Sequence, residues 1–543
     1  MKKNILKALA GVLLLSGASS CGNDWLSLSD PNHFTADQYW QTESDFESGL
    51  AAAYRYQRQG EGGFARWYHM LMILRSDEGY STSPNNTIAS YGNFLHDPYI
   101  AQNTAAYISP WRDAYTQIYY ANQVLDALNS NGPSVLTDAR IKEMRGQALF
   151  IRASAYWYMA SLYGKTIKQT TATTSDGLGE GFMTQYEGYH FALNDLEEAV
   201  TLLPASWPAA DLGRMTKGAC YGLMCRNNMQ LAGMVKRPAS IDPESASHSG
   251  EETGYWQAAK KNCEDIFALN IYSLVPNFVD NFTNSNEFNS ESIWELPYMD
   301  NGKGSYDGDY HGFHLPQYAG LYMATSTGGA WDDVSAREWV LDEFDKEADK
   351  DGNTDIRKHY TLFFDDPYDP DEILYHGKTW KELDEINHFN KKCYWRKYSQ
   401  ANCKTGKTEK YSGDVNCRMI RLAEIYLNYA EIMNELNDRN TAVEYINKVR
   451  RRANMADLNA ASFATRDILL NQLKHERVME LAMESLRWCD LDRWGDLYSQ
   501  ASLNEIAQRD TDFNTFTLGK SHLYPIPQRE IDYYPGLTQN PNY

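Results

Sequence analysis

The chain has 543 residues, and its 72 Asp and Glu outnumber 51 Lys and Arg, for a formal net charge of −21 at pH 7. A surface this acidic repels phosphate backbones and no Lys/Arg-rich run relieves it, which argues against nucleic acid as a partner. The 14 Trp and 38 Tyr are mostly packing, but the excess of Tyr over 19 Phe supplies ring faces that carry a polar tip.

Lys2, Lys3 and Lys7 form a charged head, Ile5 to Leu15 an apolar stretch, and Ala18-Ser19-Ser20 a small-residue segment before Cys21. Residues 1–20 therefore read as a secretory signal, too short to persist as a spanning helix. A Cys directly after small residues points to a lipoprotein-type signal, with the Cys21 thiol acylated at a new N-terminus. Ordinary secretion with a retained structural thiol is the alternative. Each buried CH2 of an acyl chain contributes about 0.8 kcal/mol, so several chains hold a body at a membrane. No later apolar run approaches the roughly 18 residues a span needs. Of the other seven cysteines, an odd number, Cys393 and Cys403 are spaced to close a short loop, with buried free thiols as the alternative. No paired Cys/His spacing suggests zinc.

The segment RSDEGYSTSPNNTIASYGNF mixes aromatic and polar groups in a loop-like run: Asp77, Tyr80, Asn85, Asn86, Tyr91 and Asn93. From Tyr115 the chain turns helical. YTQIYYANQVLDAL is followed, after the turn-like NGPS, by a helix with Met144, Ala148, Ile151, Ala155, Tyr158, Met159 and Leu162 at three- and four-residue steps. YHFALNDLEEAVTLL and MTKGACYGLMCRNNMQLA form a second pair, and a third antiparallel pair is expected to begin at Trp256. Repeated hairpins of this size suggest tetratricopeptide-like packing, because one hairpin cannot bury both its faces.

Between about 275 and 410 the helical period gives way to Gly, Asp, Asn, Tyr and Trp with short strand-like pieces such as SIWELPY. A long irregular segment held by a helical scaffold is where a binding site is expected. Its aromatics are Tyr306, Tyr310, Tyr318, Tyr322 and Trp331, the last beside Gly328, Gly329 and Asp332. Asp307, Asp309, His311 and His314 are close enough in sequence to converge on a transition metal, with unpaired loop polars as the plainer reading. EADKDGNTD from Glu347 to Asp355 resembles part of a calcium loop with Gly352 at its turn, but Lys358 stands where a bidentate Glu is required, so calcium would need another geometry.

The strongest helix is expected over RMIRLAEIYLNYAEIMNELN, with Leu422, Ile425, Tyr426, Tyr429, Ile432, Met433 and Leu436 on one stripe. Thr441 and Glu444 have capping-box spacing for the next helix. Then comes ERVMELAMESLRWCDLDRWG, where charges alternate with Trp488 and Trp494, a composition for ion pairs and Arg-aromatic stacking. A glycosidase reading of Glu476 and Glu484 is disfavoured: eight helical positions span about 12 Å, whereas the two carboxylates need about 5 to 9 Å. His475-Glu476 opens like HExxH, but Met479 fills the second His position. GKT recurs at Gly164, Gly377 and Gly406 without the P-loop glycine five residues earlier, and no GxSxG elbow occurs.

Five segments in order carry a resemblance: GNDWLSLSD leading from Cys21 to Pro31, RGQALFIRASAYWYMASLYG, RLAEIYLNYAEIMNELN with INKVRRRANM, the Glu476–Gly495 motif, and the terminal YPIPQREIDYYPGLTQNPNY. On these the chain resembles the SusD/RagB family of outer-membrane nutrient-binding lipoproteins, over essentially all of residues 21–543. Departures are mild: Ala18 where Leu is commoner, Cys489 where an aromatic is, and Asn542 for a frequent Gly. The resemblance implies a mostly α fold, a tetratricopeptide-like helical-hairpin scaffold with a large irregular loop-rich face and a few short strands. It implies one body, with an N-terminal part at about 22–235 and a C-terminal part at about 270–543. It further implies a surface lipoprotein, no enzyme, acting with a SusC-like TonB-dependent transporter to deliver oligosaccharides. Asp355 and Arg357 match a structural DxR element of the family, whose sites usually come from the two loop regions above without a fixed motif.

Pyranose rings present apolar CH faces to aromatic planes while their hydroxyls need amides and charges at the rim. The expected ligand contacts are thus Trp331, Tyr310, Tyr306, Tyr322, Asp77, Tyr80, Asn85, Tyr91 and Asn93, with no cofactor required. Peptide or glycoprotein cargo, a surface glycoside hydrolase using Asp332 with an unnamed partner, and a pure helical scaffold are the alternatives.

Overall fold

The computed structural model describes residues 39–58, 64, 66–82, 88–89, 92–94, 105–173, 179–299, 319, 330–366, 374–402 and 413–543. The expected signal, Cys21, Asn85, Tyr91, Tyr306, Tyr310 and Tyr322, with the Asp307–His314 cluster, lie outside them. Among the described residues no helix is long and apolar enough to cross a membrane.

The fold is mostly α and tetratricopeptide-like. Helix α1 (Glu43–Arg58) is followed by α2 (Trp67–Leu74), whose eight residues are all buried, and by the two-residue strand β1 (Gly79–Tyr80). The scaffold proper is α3 (Ala105–Ser130), α4 (Asp138–Tyr163), α5 (Gln185–Leu202), α6 (Lys217–Met234) and α7 (Glu252–Leu269), with strands β2 (Thr166–Ile167) and β3 (Phe182–Met183) paired antiparallel between α4 and α5. Each helix packs on the next, and α1 covers α3. The caps explain the starts. Thr137 accepts from the Arg140 amide, Thr184 and Glu187 form a full capping box, and Thr216 accepts from Ala219. The α4 stripe read from sequence is buried, but so is its opposite face from Gly146 to Tyr163, because α1, α3 and α5 cover it from several sides.

The third hairpin departs from expectation. Helix α7 does begin near Trp256, but its partner is α8 (Leu422–Glu435), far along the chain. RMIR, expected as the start of α8, is instead strand β8 (Cys417–Arg421), paired antiparallel with β4 (Ser292–Leu296). Pairing to SIWEL wins over helix propensity there, since Arg421 reaches Glu291 at 2.8 Å and Arg418 reaches Glu295 at 3.5 Å. The β4–β8 seam closes the base of a long insertion, which holds β5 (Ser335–Ala336), β6 (Leu362–Phe364) and β7 (Cys393–Trp395), with β6 and β7 antiparallel. Cys393 is a buried free thiol; Cys403, its candidate partner for closing a short loop, lies outside the described residues.

Helices α9 (Arg439–Arg452), α10 (Arg466–Leu481) and α11 (Arg487–Arg493) complete the scaffold. The N-cap of α9 is Asp438, which accepts from the Thr441 amide and hydroxyl, so Thr441 lies inside the helix rather than at its cap. The terminal motifs meet on Arg75, fully buried with its guanidinium 3.8 Å from the Trp488 ring and 4.3 Å from Tyr524. Asn540 then pins the tail, donating to the carbonyls of Tyr163 and Tyr524 at 2.8 and 2.7 Å.

Scaffold and insertion are joined by a buried ion cluster. Glu480, with no exposed surface, pairs with Arg421 at 2.5 Å, Arg357 at 3.2 Å and, more closely, Arg452. Arg357 also holds Asp355 at 2.6 Å, the DxR pair, and Glu484 joins Arg421 to Lys397, each at 2.7 Å. Burial would raise the Glu480 pKa, but Arg452, Arg421 and Arg357 override it and hold the carboxyl well below its ordinary range. Such a group stabilises the fold above its unfolded pKa and loses that contribution as pH falls. Glu480→Gln is expected to lower unfolding free energy by about 3–5 kcal/mol, because it leaves buried guanidiniums uncompensated. Urea unfolding at pH 7 measures this, and the variant's stability should depend less steeply on pH below about 4.5.

Candidate functional site

Strand β1 carries Tyr80 to the insertion. Gly79 pairs with Ala336 and Tyr80 with Ser335, so backbone at the start of the early loop is held against backbone at the end of the middle loop, some 250 residues away in sequence. Trp331 and Asp332 stand just before β5. Trp331 is 38% exposed, and Asp332 holds a left-handed φ of 55°. A β-region neighbour cannot supply that geometry, so side chains fix it. Lys391 donates to the Asp332 carboxylate and, at 2.6 Å, to the Ser335 hydroxyl, which itself donates to Asp332 at 3.0 Å. Strained φ values of this kind persist only where surrounding contacts over-determine them. Burial raises the Asp332 pKa, with Lys391 pulling it back.

The Lys391 ammonium also lies 5.5 Å from the ring centres of both Tyr80 and Tyr394. Behind Tyr394, Phe389 and Trp380 extend the aromatic layer, with ring centres 5.0 Å (Tyr394–Phe389) and 4.6 Å (Phe389–Trp380) apart. The far side of Tyr80 meets Arg337, 4.4 Å from its ring, and Arg337 is fixed by Asp510 at 2.5 Å and Asp512 at 2.6 Å. Burial pushes the Tyr80 phenol up to about 12, so it stays a neutral donor.

Asp77 corrects the expectation placed on it. Its side chain has no exposed surface and is held by Arg487 at 2.7 Å and Arg509 at 2.6 Å. Burial works against charge there, yet Arg487 and Arg509 hold the carboxyl well below the usual range. Its carbonyl accepts from the Trp339 indole, so Asp77 is a foundation beneath the surface, not a ligand contact. Asn93 is half-buried and its carbonyl accepts from Thr515, beside Phe94 packed on Phe513 and Phe516. Sequence reasoning missed Lys391, Tyr394, Trp380 and Arg337. The alternation of aromatic and Lys in KKCYW is a signal for the first two; nothing local marks Arg337.

For metals, Glu347, His475 and Glu476 approach one another among the described residues. Arg450 already lies between Glu347 and Glu476 and donates to both, which places a cation where a metal would sit. The calcium-like loop spends its carboxylates internally: Asp349 accepts the amides of Asp351 and Asn353 at 2.9 and 2.8 Å, and Asp355 serves Arg357. Asp332, the carboxylate named for a hydrolase, is engaged by Lys391.

Two family models match the chain, one described as the SusD family over residues 290–543 and one as "Starch-binding associating with outer membrane" over residues 34–228. A SusD-like protein of Formosa agariphila is 25% identical over 562 aligned positions, covering 97% of each chain. Among solved structures, a SusD superfamily protein from Bacteroides vulgatus gives a TM-score of 0.76 at 24% identity, covering 93% of this chain and 100% of the other. Surface glycan-binding protein A from Bacteroides thetaiotaomicron, in complex with laminarihexaose, gives 0.69 at 20% identity with 93% and 100% covered.

Next to Tyr80, Glu78 is buried with its carboxylate on the Met483 amide at 3.2 Å, and burial pushes its pKa up to about 8 despite Arg487. A carboxyl raised in the fold contributes stability below its unfolded pKa and loses it as pH rises through the folded value. Glu78→Gln should therefore gain on the parent between about pH 4.5 and pH 8 and hold a constant lead above that. Thermal midpoints at half-unit pH steps check this, and a constant offset across the range would refute it.

Proposed function

The chain belongs to the SusD/RagB family, and from that premise we propose that it captures oligosaccharides at the outer face of the outer membrane and passes them to a SusC-like TonB-dependent transporter without cutting them. In this reading residues 1–20 are removed, Cys21 carries the lipid anchor, and residues 21–543 form a single body. The relatives named above as SusD-like or glycan-binding, and the family description of outer-membrane association, support the class. The observation that supports a place for it on this chain is the β1–β5 pairing, which brings Tyr80 to Lys391, itself bonded to Asp332 next to Trp331 in sequence.

The physical account is capture by stacking. The exposed Trp331 ring offers a plane to a pyranose CH face, and its neighbour's backbone is held by Lys391 and Ser335 before ligand arrives, so little ordering entropy is lost on binding. Hydroxyls of the sugar find donors in Tyr80 and in the polar side chains of the same loops. Of the expected contacts, Tyr306, Tyr310, Tyr322, Asn85 and Tyr91 belong to these two loops and remain part of the proposal. Such contacts orient a ligand but provide no matched acid and base, which accords with transport rather than hydrolysis.

Calorimetric titration of the purified chain with a panel of neutral oligosaccharides tests this. Trp331→Ala should weaken binding of any hit at least tenfold, about 1.4 kcal/mol, with an unchanged thermal midpoint. Chromatography of the mixtures afterwards should show intact ligand. Cleaved product would overturn the transport reading, and binding confined to peptides would move the cargo from glycan to peptide.

A further inference from the structure

Two concavities in the scaffold share no residue with the Trp331 surface. One, of about 230 Å3, is lined by Trp207, Tyr272 and Phe288 together with Asn289 and Ser290. The other, of about 280 Å3, lies between α1 and the end of β4 and is lined by Arg55, Arg58 and Arg214. The turn Leu212–Gly213–Arg214 borders both, so they form two lobes of one groove. Each lobe alone falls below the roughly 300–1,000 Å3 of small-molecule sites, while the two together fall within it.

One cation in this groove stands apart from the others. Arg214 is satisfied by Glu47 at 3.1 Å and Asp211 at 2.8 Å, and Glu47 is shared with Arg140. Arg58 has no carboxylate partner among the described residues. Its Nη1 donates to the Pro297 carbonyl at 2.9 Å, and its Nε is buried without a partner. Burial lowers its pKa and the adjacent Arg55 adds to the effect. A largely buried cation without a counter-ion costs stability, and here it persists in a chain with a formal charge of −21. The aromatic lobe has its own marks of a binding surface. Leu212 and Ile271 at the groove are 50% and 43% exposed, and Phe288 holds a φ of 49°, its amide fixed at 3.0 Å on the Glu295 carboxylate.

We propose that this groove is a second binding site, for an acidic oligosaccharide: a uronate carboxylate sits on Arg58 and the adjoining pyranose lies in the lobe of Trp207 and Tyr272. Nη2 of Arg58 offers a carboxylate a charge-assisted hydrogen bond, and the rings of Trp207, Tyr272 and Phe288 in the adjoining lobe offer apolar surface to a sugar's CH face. From the glycan-binding reading the proposal takes only the kind of molecule that bears the carboxylate. An acidic peptide would meet the same cation but has less use for the ring-lined lobe beside it.

The test is calorimetric titration of the purified chain with tetrasaccharides of galacturonate, glucuronate, mannuronate and guluronate, with their carboxyl-reduced neutral forms, and with tetraglutamate. At least one uronate should bind, weaken as salt rises, and lose tenfold or more both on carboxyl reduction and in Arg58→Gln. Trp207→Ala should lose a similar factor, and Trp331→Ala should change uronate affinity by less than twofold. Arg58→Gln should leave the thermal midpoint nearly unchanged, because losing the bond to the Pro297 carbonyl is offset by removing a largely buried charge that has no counter-ion. No uronate binding, equal affinity for reduced forms, or full affinity in Arg58→Gln would overturn the proposal, as would tighter binding of tetraglutamate. If Trp331→Ala abolishes uronate and neutral binding alike, this groove is refuted while the Trp331 reading stands; loss of neutral binding alone separates the two in the opposite sense.

Discussion

Glu480 is a carboxylate with no exposed surface that stays charged because three arginines from different parts of the chain converge on it. Arg421 closes strand β8, Arg452 ends helix α9, and Arg357 comes from the insertion, so the ion cluster is the point where scaffold and insertion agree on their positions. A single buried pair contributes little net stability, since desolvation offsets attraction. A cluster in which each guanidinium answers to more than one carboxylate behaves differently: an incomplete set is far worse than either a full set or none. That makes it a device for specifying one arrangement, and the arrangement is the one that brings β1 to β5.

A second ionic anchor carries this order to the surface. Asp77 fixes Arg487 from the terminal motif and Arg509 beyond it, and its carbonyl holds the Trp339 indole three residues past β5. From there, Arg337 and Lys391 flank Tyr80 and settle the backbone beside Trp331. The exposed ring is thus the last member of a chain of contacts that starts in the core. Rigidity of this surface follows from burial of charge below it.

Much of the scaffold was legible because helical periodicity is local. The stripes on α4 and α8 could each be read within a few turns. What could not be read was set by partners remote in sequence. RMIR has helix-compatible residues, yet SIWEL claims it as a strand. Helix α7 looked for its partner in the next segment, whereas the partner waits beyond the insertion. Thr441 has the spacing of a cap, but Asp438, with a carboxylate able to accept from both the amide and the hydroxyl of Thr441, takes the role. Of the residues proposed as ligand contacts, Tyr80 is brought by backbone pairing to Ser335, just after Trp331, while Asp77, read as polar loop, is sealed by two arginines that no local pattern connects to it. Lys391 escaped notice because a lysine's meaning lies in what surrounds it.

The separation of α7 from α8 gives the two halves of the molecule different tolerances. Joining helices across a long excursion costs closure entropy that rises only with the logarithm of its length, about 0.6 kcal/mol for each doubling. The scaffold therefore senses the seam of β4 and β8 and the ion cluster above it, and is nearly indifferent to how much chain loops out beyond them. An insertion built this way can be lengthened, shortened or rewritten while the helices that carry it stay as they are, provided the few charged residues at its base are kept.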